Sequence, residues 1–291
     1  MKIGSLCTGY GGLDMAVEAY FNAEMVWCAE IDKNASKLIV ERFDKPNLGD
    51  IKTIKWDQVE PIDILTAGYP CQPFSHAGHR RGEDDKRHIW PNIKEAISIL
   101  RPGIVILENV RGHLSLGFKE VLADLAQIGY DAKWKVVRAS DVGAPHQRAR
   151  LFIVAYPIDC RCTSRESIGS ESTFTKSTHD GYVANSNCNA CEESRRTSLC
   201  LPGACKGLRD GQDQGQARDE YRFSVEMDRQ TVPDTLDQGR LNTKFVEYMM
   251  GLPGGWVTDL DLSRANQLKM LGNGVVPQQA YFALHQLLCV I

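Results

Sequence analysis

The amino-acid sequence predicts an α/β protein: a doubly wound, Rossmann-like and mostly parallel sheet that carries a smaller, loop-rich insertion. Three observations support this. Apolar runs of strand length alternate with stretches of helical spacing from Lys2 to Ala155, the alternation that builds βαβ units. The first unit turns on a glycine-rich loop, Thr8-Gly9-Tyr10-Gly11-Gly12, between a strand and a helix. After Tyr156 the apolar periodicity stops, and it returns near Arg240.

Lys2 to Leu6 is a short apolar strand, and Leu13, Ala16, Val17 and Tyr20 give the spacing of a helix from Leu13 to Phe21. Met25 to Ala29 is a second strand ending at Glu30, followed by a helix from Ala35 to Phe43. Asn47 to Gly49 is expected as a short third strand running into Asp50-Ile51, and Ile62 to Ala67 as a fourth, ending in a tight turn at Gly68-Tyr69-Pro70. Trp90 to Leu100 reads as a helix, Ile104 to Leu107 as a strand ending in Glu108-Asn109, and Phe118 to Ile128 as a helix. Trp134 to Val137 and Leu151 to Ala155 are later strands. Phe245 to Met250 is helical, Gly251 to Gly255 a turn, and Ala280 to Val290 a closing helix. Residues 1–156 and 240–291 thus form one domain around the segment 157–239. That segment is rich in Ser, Asn, Gly, Asp and Arg and supplies little core; it is either a disordered insertion or a loop-rich lobe that orders on a partner.

Composition bounds the function. A chain of 291 residues buries a sizeable core, and 43% hydrophobic with 24% charged residues is ordinary for a soluble protein. No run approaches the roughly 18 apolar residues of a membrane span, and Met1 to Gly4 leads straight into a strand without a signal-peptide pattern, so a cytoplasmic protein is expected. The ten cysteines read as reduced thiols in such a setting. Cys188, Cys191, Cys200 and Cys205, with Cys160 and Cys162 nearby, have passable zinc spacing, but in so polar a stretch they read as surface thiols and no metal site is assigned. A net charge of -3 gives no support to nucleic-acid binding by itself, so any basic surface must be local.

The glycine loop is weak evidence for a nucleotide until its neighbours are weighed. Where a dinucleotide fingerprint has its third glycine, this chain has Asp14, at a helix N-terminus, where a carboxylate repels a pyrophosphate. NAD and FAD are therefore disfavoured, and a phosphate-free adenosine cofactor is not. Glu30 at the end of the second strand suits ribose hydroxyls, and Asp50 at the end of the third suits an adenine amino group. Cys71 sits between Pro70 and Pro73 on a stiff loop, and alone is either a packed small residue or a presented nucleophile. Arg148 and Arg150, two apart, share a face if the backbone is extended, and suit a phosphate or a base carbonyl; alone they are surface cations at a sheet edge.

Taken together these stretches resemble the cytosine-C5 DNA methyltransferase family. Cys7-Thr8-Gly9-Tyr10-Gly11-Gly12 is similar to its cofactor loop, Gly68-Tyr69-Pro70-Cys71-Gln72 to its nucleophile loop, and Glu108-Asn109-Val110 to its acid motif. Gln147-Arg148-Ala149-Arg150 resembles its basic motif, Arg240 to Pro253 the segment after its recognition domain, and Leu271 to Pro277 its last motif. The resemblance covers residues 1–156 and 240–291. It implies an S-adenosylmethionine-dependent methyltransferase sheet, double-stranded DNA as partner, a monomer, and 157–239 as a target-recognition segment. It further implies cofactor contacts from Cys7, Thr8, Gly9, Tyr10, Gly11 and Gly12, from Glu30, Ile31, Asp50 and Ile51, from Pro70 and Ile89, and from Asn273, Gly274 and Val275. Three departures stand out: Cys7 where the family often has Phe, His146 for a usual Gln, and Gly274 where Ser or Ala is common, a change expected to loosen that loop.

The implied chemistry is methyl transfer to carbon 5 of a cytosine. Carbon 5 is a poor nucleophile, so the Cys71 thiolate adds at carbon 6 and makes carbon 5 enamine-like. Glu108 at nitrogen 3 and Arg148 and Arg150 at the carbonyl share the charge pushed into the ring. The base must leave the stack to be reached. The loop Ser75 to Arg87 has the length to close over it, with its basic residues offset by Glu83, Asp84 and Asp85. Two alternatives remain open on the sequence: an RNA (tRNA) cytosine-5 methyltransferase, and a DNA-binding relative without turnover.

Overall fold

The computed structural model describes residues 1–70, 89–158, 180–183 and 232–288, with 180–183 as backbone. Cys71, the stretch Ser75 to Arg87 and the cysteines from Cys160 to Cys205 lie outside the described residues.

The sheet has seven strands: β1 (Lys2–Leu6), β2 (Glu24–Ala29), β3 (Ile64–Gly68), β4 (Ile104–Val110), β5 (Tyr130–Val137), β6 (Arg150–Pro157) and β7 (Asp180–Val183), in the order β2-β1-β3-β4-β6-β5-β7. Its first four strands are parallel, as βαβ crossovers require. β6 then runs antiparallel to both β4 and β5, and β7 antiparallel to β5. The sheet is therefore mixed, because β5 and β6 form a hairpin-like pair instead of a further crossover. Residues 180–183, inside the segment the sequence sets apart, add an edge strand to this same sheet.

Helices cover both faces. Period-two alternation in β4 sends Val105 and Leu107 to one face, where they pack with Ile93 and Ile97 of α3 (Trp90–Leu100) and with Val121 and Leu125 of α4 (Phe118–Gln127). Ile104 and Ile106 go to the other, against Leu13 and Val17 of α1 (Gly12–Phe21) and the C-terminal helix. The chain continues through α2 (Lys33–Arg42), capped by Asp32, whose carboxylate accepts from the Asn34 and Ala35 amides. After a small hairpin, β8 (Leu236–Asp237) and β9 (Arg240–Leu241), come α5 (Thr243–Met249), α6 (Arg264–Asn273) and α7 (Pro277–Leu288).

Besides the strand directions, two element assignments change. Asn47 to Gly49 is not a strand: it makes a single bridge to Cys28, and the Asn47 carboxamide takes the place of a ladder by accepting from the amides of Glu30 and Gly49. The helix α6 is absent from the sequence reading, although Ser263 caps it by accepting from the Asn266 amide.

The C-terminal motif is brought back onto the first βα loop. The Tyr10 hydroxyl donates to the Val275 carbonyl at 2.7 Å, and the Trp256 indole donates to the Tyr10 carbonyl at 3.0 Å. Tyr10 is fully buried, and a Cβ at Gly274 would overlap its ring. Gly274 therefore does not loosen the loop: the space a larger residue would take is filled by Tyr10. We expect Gly274→Ala to destabilise the fold by about 1–3 kcal/mol through overpacking, seen as a lower urea midpoint at unchanged slope. In a Tyr10→Ala background most of that penalty should vanish, and strictly additive midpoints would show that the ring does not set it.

Candidate active site

A cavity of about 450 Å³ opens at the carboxyl ends of the parallel strands, a size suited to a small-molecule ligand. Every strand end contributes. Cys7, Thr8 and Gly9 follow β1, Glu30 follows β2, Gly68, Tyr69 and Pro70 end β3, and Glu108, Asn109 and Val110 end β4. Arg150 opens β6, and Asn273 at the end of α6, with Gly274 and Val275 after it, closes the far side.

Glu30 is fixed by the backbone. Its carboxylate accepts from the Gly9 amide at 2.9 Å and the Asp32 amide at 2.8 Å, so both oxygens are oriented while lone pairs remain for a ligand hydroxyl. Gly9 has φ +59, which only a residue without Cβ takes readily, and a Cβ there would meet nothing within 4 Å. Cys7 also has positive φ, and burial, with Glu30 nearby, pushes its thiol up to about 12. It is a packed neutral thiol, in a setting that disfavours the thiolate.

At the other end of the cavity the Arg150 Nε lies 3.0 Å from Glu108 Oε1. Both sit on the same face of neighbouring strands, since Val110 is paired with Arg150 and Glu108 with Phe152. Glu108 is 7% exposed, and its burial pushes the carboxyl up to about 7 against the pull of Arg150 and Arg148. Behind it, Asn109 donates to the Tyr69 carbonyl at 3.1 Å, and the Tyr69 hydroxyl is 2.9 Å from His113 Nε2. The chain is thereby held from behind up to Pro70, the residue before Cys71.

Asp14 stands in the first turn of α1, as the sequence suggests, but as a buried group. It is 1% exposed and accepts a hydrogen bond from Thr66 Oγ1 at 2.5 Å, and burial pushes its carboxyl up to about 7. It still lines the cavity floor, beside Ser5 and Thr8, whose hydroxyls are 2.8 Å apart.

Arg148 is separated from Arg150. It precedes β6 and has φ +33, so the two do not share an extended face, and its guanidinium donates to the carbonyls of Gly272 at 2.8 Å and Gly274 at 2.5 Å. Several other expected residues stand outside the cavity wall. Tyr10 and Gly11 lie behind it, Gly11 against the Phe43 ring. Asp50 closes a turn by accepting from the Lys52 amide, Ile51 and Ile89 are buried in the core, and Ile31 is 71% exposed directly after Glu30.

The wall also holds residues that the sequence reading missed: Ser5, Thr66, Asp32, Asn34, Asn266, Lys269 and Met270. Signals for some existed. Ser5 and Thr66 are polar residues inside apolar strand runs, Asp32 precedes a helix as a cap, and Ser263 announces the helix that carries the last three. Among the wall residues the charged groups are Asp14, Glu30, Asp32, Glu108, Arg150 and Lys269, and both cations are already engaged, Arg150 by Glu108 and Lys269 by Asp32 at 3.0 Å.

Known proteins resemble this chain in sequence and in fold. The family profile described as C-5 cytosine-specific DNA methylase matches residues 1–197. The Type II methyltransferase M.Bsp6I of Bacillus sp. (strain RFL6) is 35% identical over 164 residues, 54% of this chain and 52% of that protein. M.NgoBI of Neisseria gonorrhoeae is 36% identical over 160 residues, 53% of this chain and 50% of that protein. The match thus spans about half the length of these curated relatives. Among solved structures, S. pombe Dnmt2 methyltransferase has a TM-score of 0.59 at 16% identity, covering 98% of this chain and 99% of its own. A putative DNA modification methyltransferase encoded within an E. coli prophage has a TM-score of 0.58 at 18% identity over 100% of both chains. These structural likenesses establish the shared fold. With its glycine loop, buried acid and basic strand start at one sheet edge, and a profile match over more than half its length, the chain belongs to the C-5 cytosine-specific DNA methylase family.

Proposed function

We propose that the protein is a DNA (cytosine-5-)-methyltransferase that uses S-adenosylmethionine. The observation that carries this reading is the buried Glu108–Arg150 pair beside a cavity of predominantly anionic wall, in a chain of this family. Among the described wall residues a dinucleotide finds no free cation for its phosphates, whereas the excess of acidic over basic residues there suits a cofactor that carries a positive charge. The residues present therefore fit the cofactor. Glu30 would hold ribose hydroxyls, Gly9 gives close backbone approach, and Asn273 to Val275 close the side opposite β2. When bound, S-adenosylmethionine supplies an electrophilic methyl group on sulfur.

The protein's own residues do the rest. The thiolate of Cys71 adds to carbon 6 of a flipped cytosine and makes carbon 5 nucleophilic. Glu108, held near half protonation at neutral pH, donates to nitrogen 3 as charge develops there. Arg150 orients that carboxyl through its Nε and donates from Nη1 to the Ala149 carbonyl at 3.1 Å, which leaves Nη2 for the base carbonyl. Once carbon 5 has taken the methyl group, loss of its proton to water, return of the nitrogen 3 proton to Glu108 and release of Cys71 as a thiolate complete the turnover. Segment 157–239 would read the target sequence, apart from its strand on the sheet, and the protein would act as a monomer on duplex DNA in the cytoplasm. Among the described residues no helix is long and apolar enough to cross a membrane. DNA is favoured over RNA because the relatives matched above 30% identity are Type II methyltransferases.

Two outcomes are expected. Labelled S-adenosylmethionine should transfer methyl to duplex DNA, and Cys71→Ser should abolish transfer while leaving cofactor binding intact; DNA carrying 5-fluorocytosine should trap the wild-type protein covalently. Transfer to tRNA alone would overturn the DNA reading. Because the working form of Glu108 is the protonated one and its pKa is raised to about 7, the single-turnover rate should carry a limb that falls as pH rises through about 7. Glu108→Gln should remove that limb and slow transfer by roughly 10²- to 10⁴-fold, and a limb that survives the substitution belongs to another group.

A further inference from the structure

The basic motif contains two arginines, and only Arg150 is placed beside the acid. Arg148 turns away from it. Its guanidinium donates to the carbonyls of Gly272 and Gly274, the two residues that flank Asn273 in the cavity wall. Asn273 is the last residue of α6, so Gly272 carries one of the carbonyls that a helix leaves without an internal partner at its C-terminus, where a cation is favoured. The planar fork of an arginine can span two such acceptors; an ammonium, with its charge at a point, spans them less well.

The arrangement is held in place at a conformational cost. Arg148 has φ +33, a region that a side chain with Cβ enters only under constraint, and its Nε is buried without a hydrogen-bond partner. The constraint is visible: Gln279 of α7 donates to the Arg148 carbonyl and to the Val137 carbonyl, both at 2.8 Å, pinning the residue between the end of β5 and α7. On the other side of the same motif, Tyr10 donates to the Val275 carbonyl. Gly272, Gly274 and Val275 thus each have their carbonyl tied, two by Arg148 and one by Tyr10, on either side of Asn273, which lines the cavity.

We propose that Arg148 is a positioning residue for the cofactor: it presets the Gly272-Asn273-Gly274 backbone, so that the start of β6 carries a base-side arginine and a cofactor-side arginine two residues apart. This rests on the reading that the cavity binds S-adenosylmethionine. It predicts a dependence that a base or phosphate contact would not produce, because the effect must be present with no DNA in the sample.

Calorimetric titration of the DNA-free protein with S-adenosylmethionine tests it. Arg148→Met should weaken cofactor binding roughly tenfold to a hundredfold, with Arg148→Lys in between, while duplex affinity measured by anisotropy without cofactor stays at the wild-type value. If Arg148→Met does not fold, Arg148→Lys carries the comparison, and any weakening it shows must exceed what its melting temperature explains. A double-mutant cycle with Asn273→Ala separates positioning from general stability: the two losses of cofactor affinity should be non-additive if Arg148 acts through Asn273. Unchanged cofactor affinity in Arg148→Met, additivity in the cycle, or a loss confined to DNA binding would each overturn the inference. Wild-type protein that binds no S-adenosylmethionine would instead remove the functional reading, and this inference with it.

Discussion

The direction of one strand determines where the chemistry can be. In a parallel sheet the starts of strands lie on the edge opposite the carboxyl ends, so an arginine just before a strand would sit far from an acid just after another. Here β6 runs antiparallel to β4, and its first residue, Arg150, is paired with Val110, the last of β4. The reversal delivers the basic motif to the edge where Glu30, Tyr69 and Glu108 already converge. Because β6 is also the partner of β5, the antiparallel pair is anchored along its whole length, from Tyr130 beside Pro157 to Val137 beside Arg150. The Glu108–Arg150 contact is therefore a consequence of ladder register and does not depend on a loop finding its place.

That explains what the sequence could and could not disclose. The alternation of apolar runs located β1, α1, β2, α2, β3, α3, β4 and α4 to within a few residues, since each buries a face with its own period. Strand direction has no such signature: Leu151 to Ala155 is apolar throughout and reads the same either way, which is why a mostly parallel sheet was expected. Glu108 and Asn109 looked like residues after a strand because they are polar, yet both lie within β4 and are buried. Hydrogen bonds conceal such residues from a hydropathy reading. The same holds for Asp14, whose burial against Thr66 depends on a contact 52 positions away, and for Arg148, whose positive φ is imposed by Gln279 131 positions later. Local patterns predict local geometry, and these residues answer to partners that only the fold brings near.

The site is also a place where stability is given up. Asp14 and Glu108 are both pushed up to about 7 by burial, above the ordinary values of 3.8 and 4.5. A carboxyl whose folded pKa is raised binds more protons in the folded state than in the unfolded one across that interval. Its contribution to stability is present in full below pH about 4 and is lost as pH rises through about 7. Two such groups within one cavity make the folded protein less stable at neutral pH than it would be with apolar residues there. A carboxyl able to give a proton at pH 7, the role proposed for Glu108, requires the same desolvation, so the loss and that role would have one origin.

The contacts that close the cavity span almost the whole chain. Tyr10 reaches Val275 across 265 positions, Trp256 reaches Tyr10 across 246, and Arg148 reaches Gly274 across 126. The segment 157–239 lies between the two blocks of residues that these contacts join. Loop-closure entropy grows only with the logarithm of loop length, so doubling such a stretch adds roughly 0.6 kcal/mol to the cost of bringing the two blocks together. The cavity is therefore insensitive to how long the insertion is and sensitive to the few side chains that bridge it. A fold closed in this way tolerates change in the insertion while Tyr10, Arg148 and Gln279 hold the edge of the cavity.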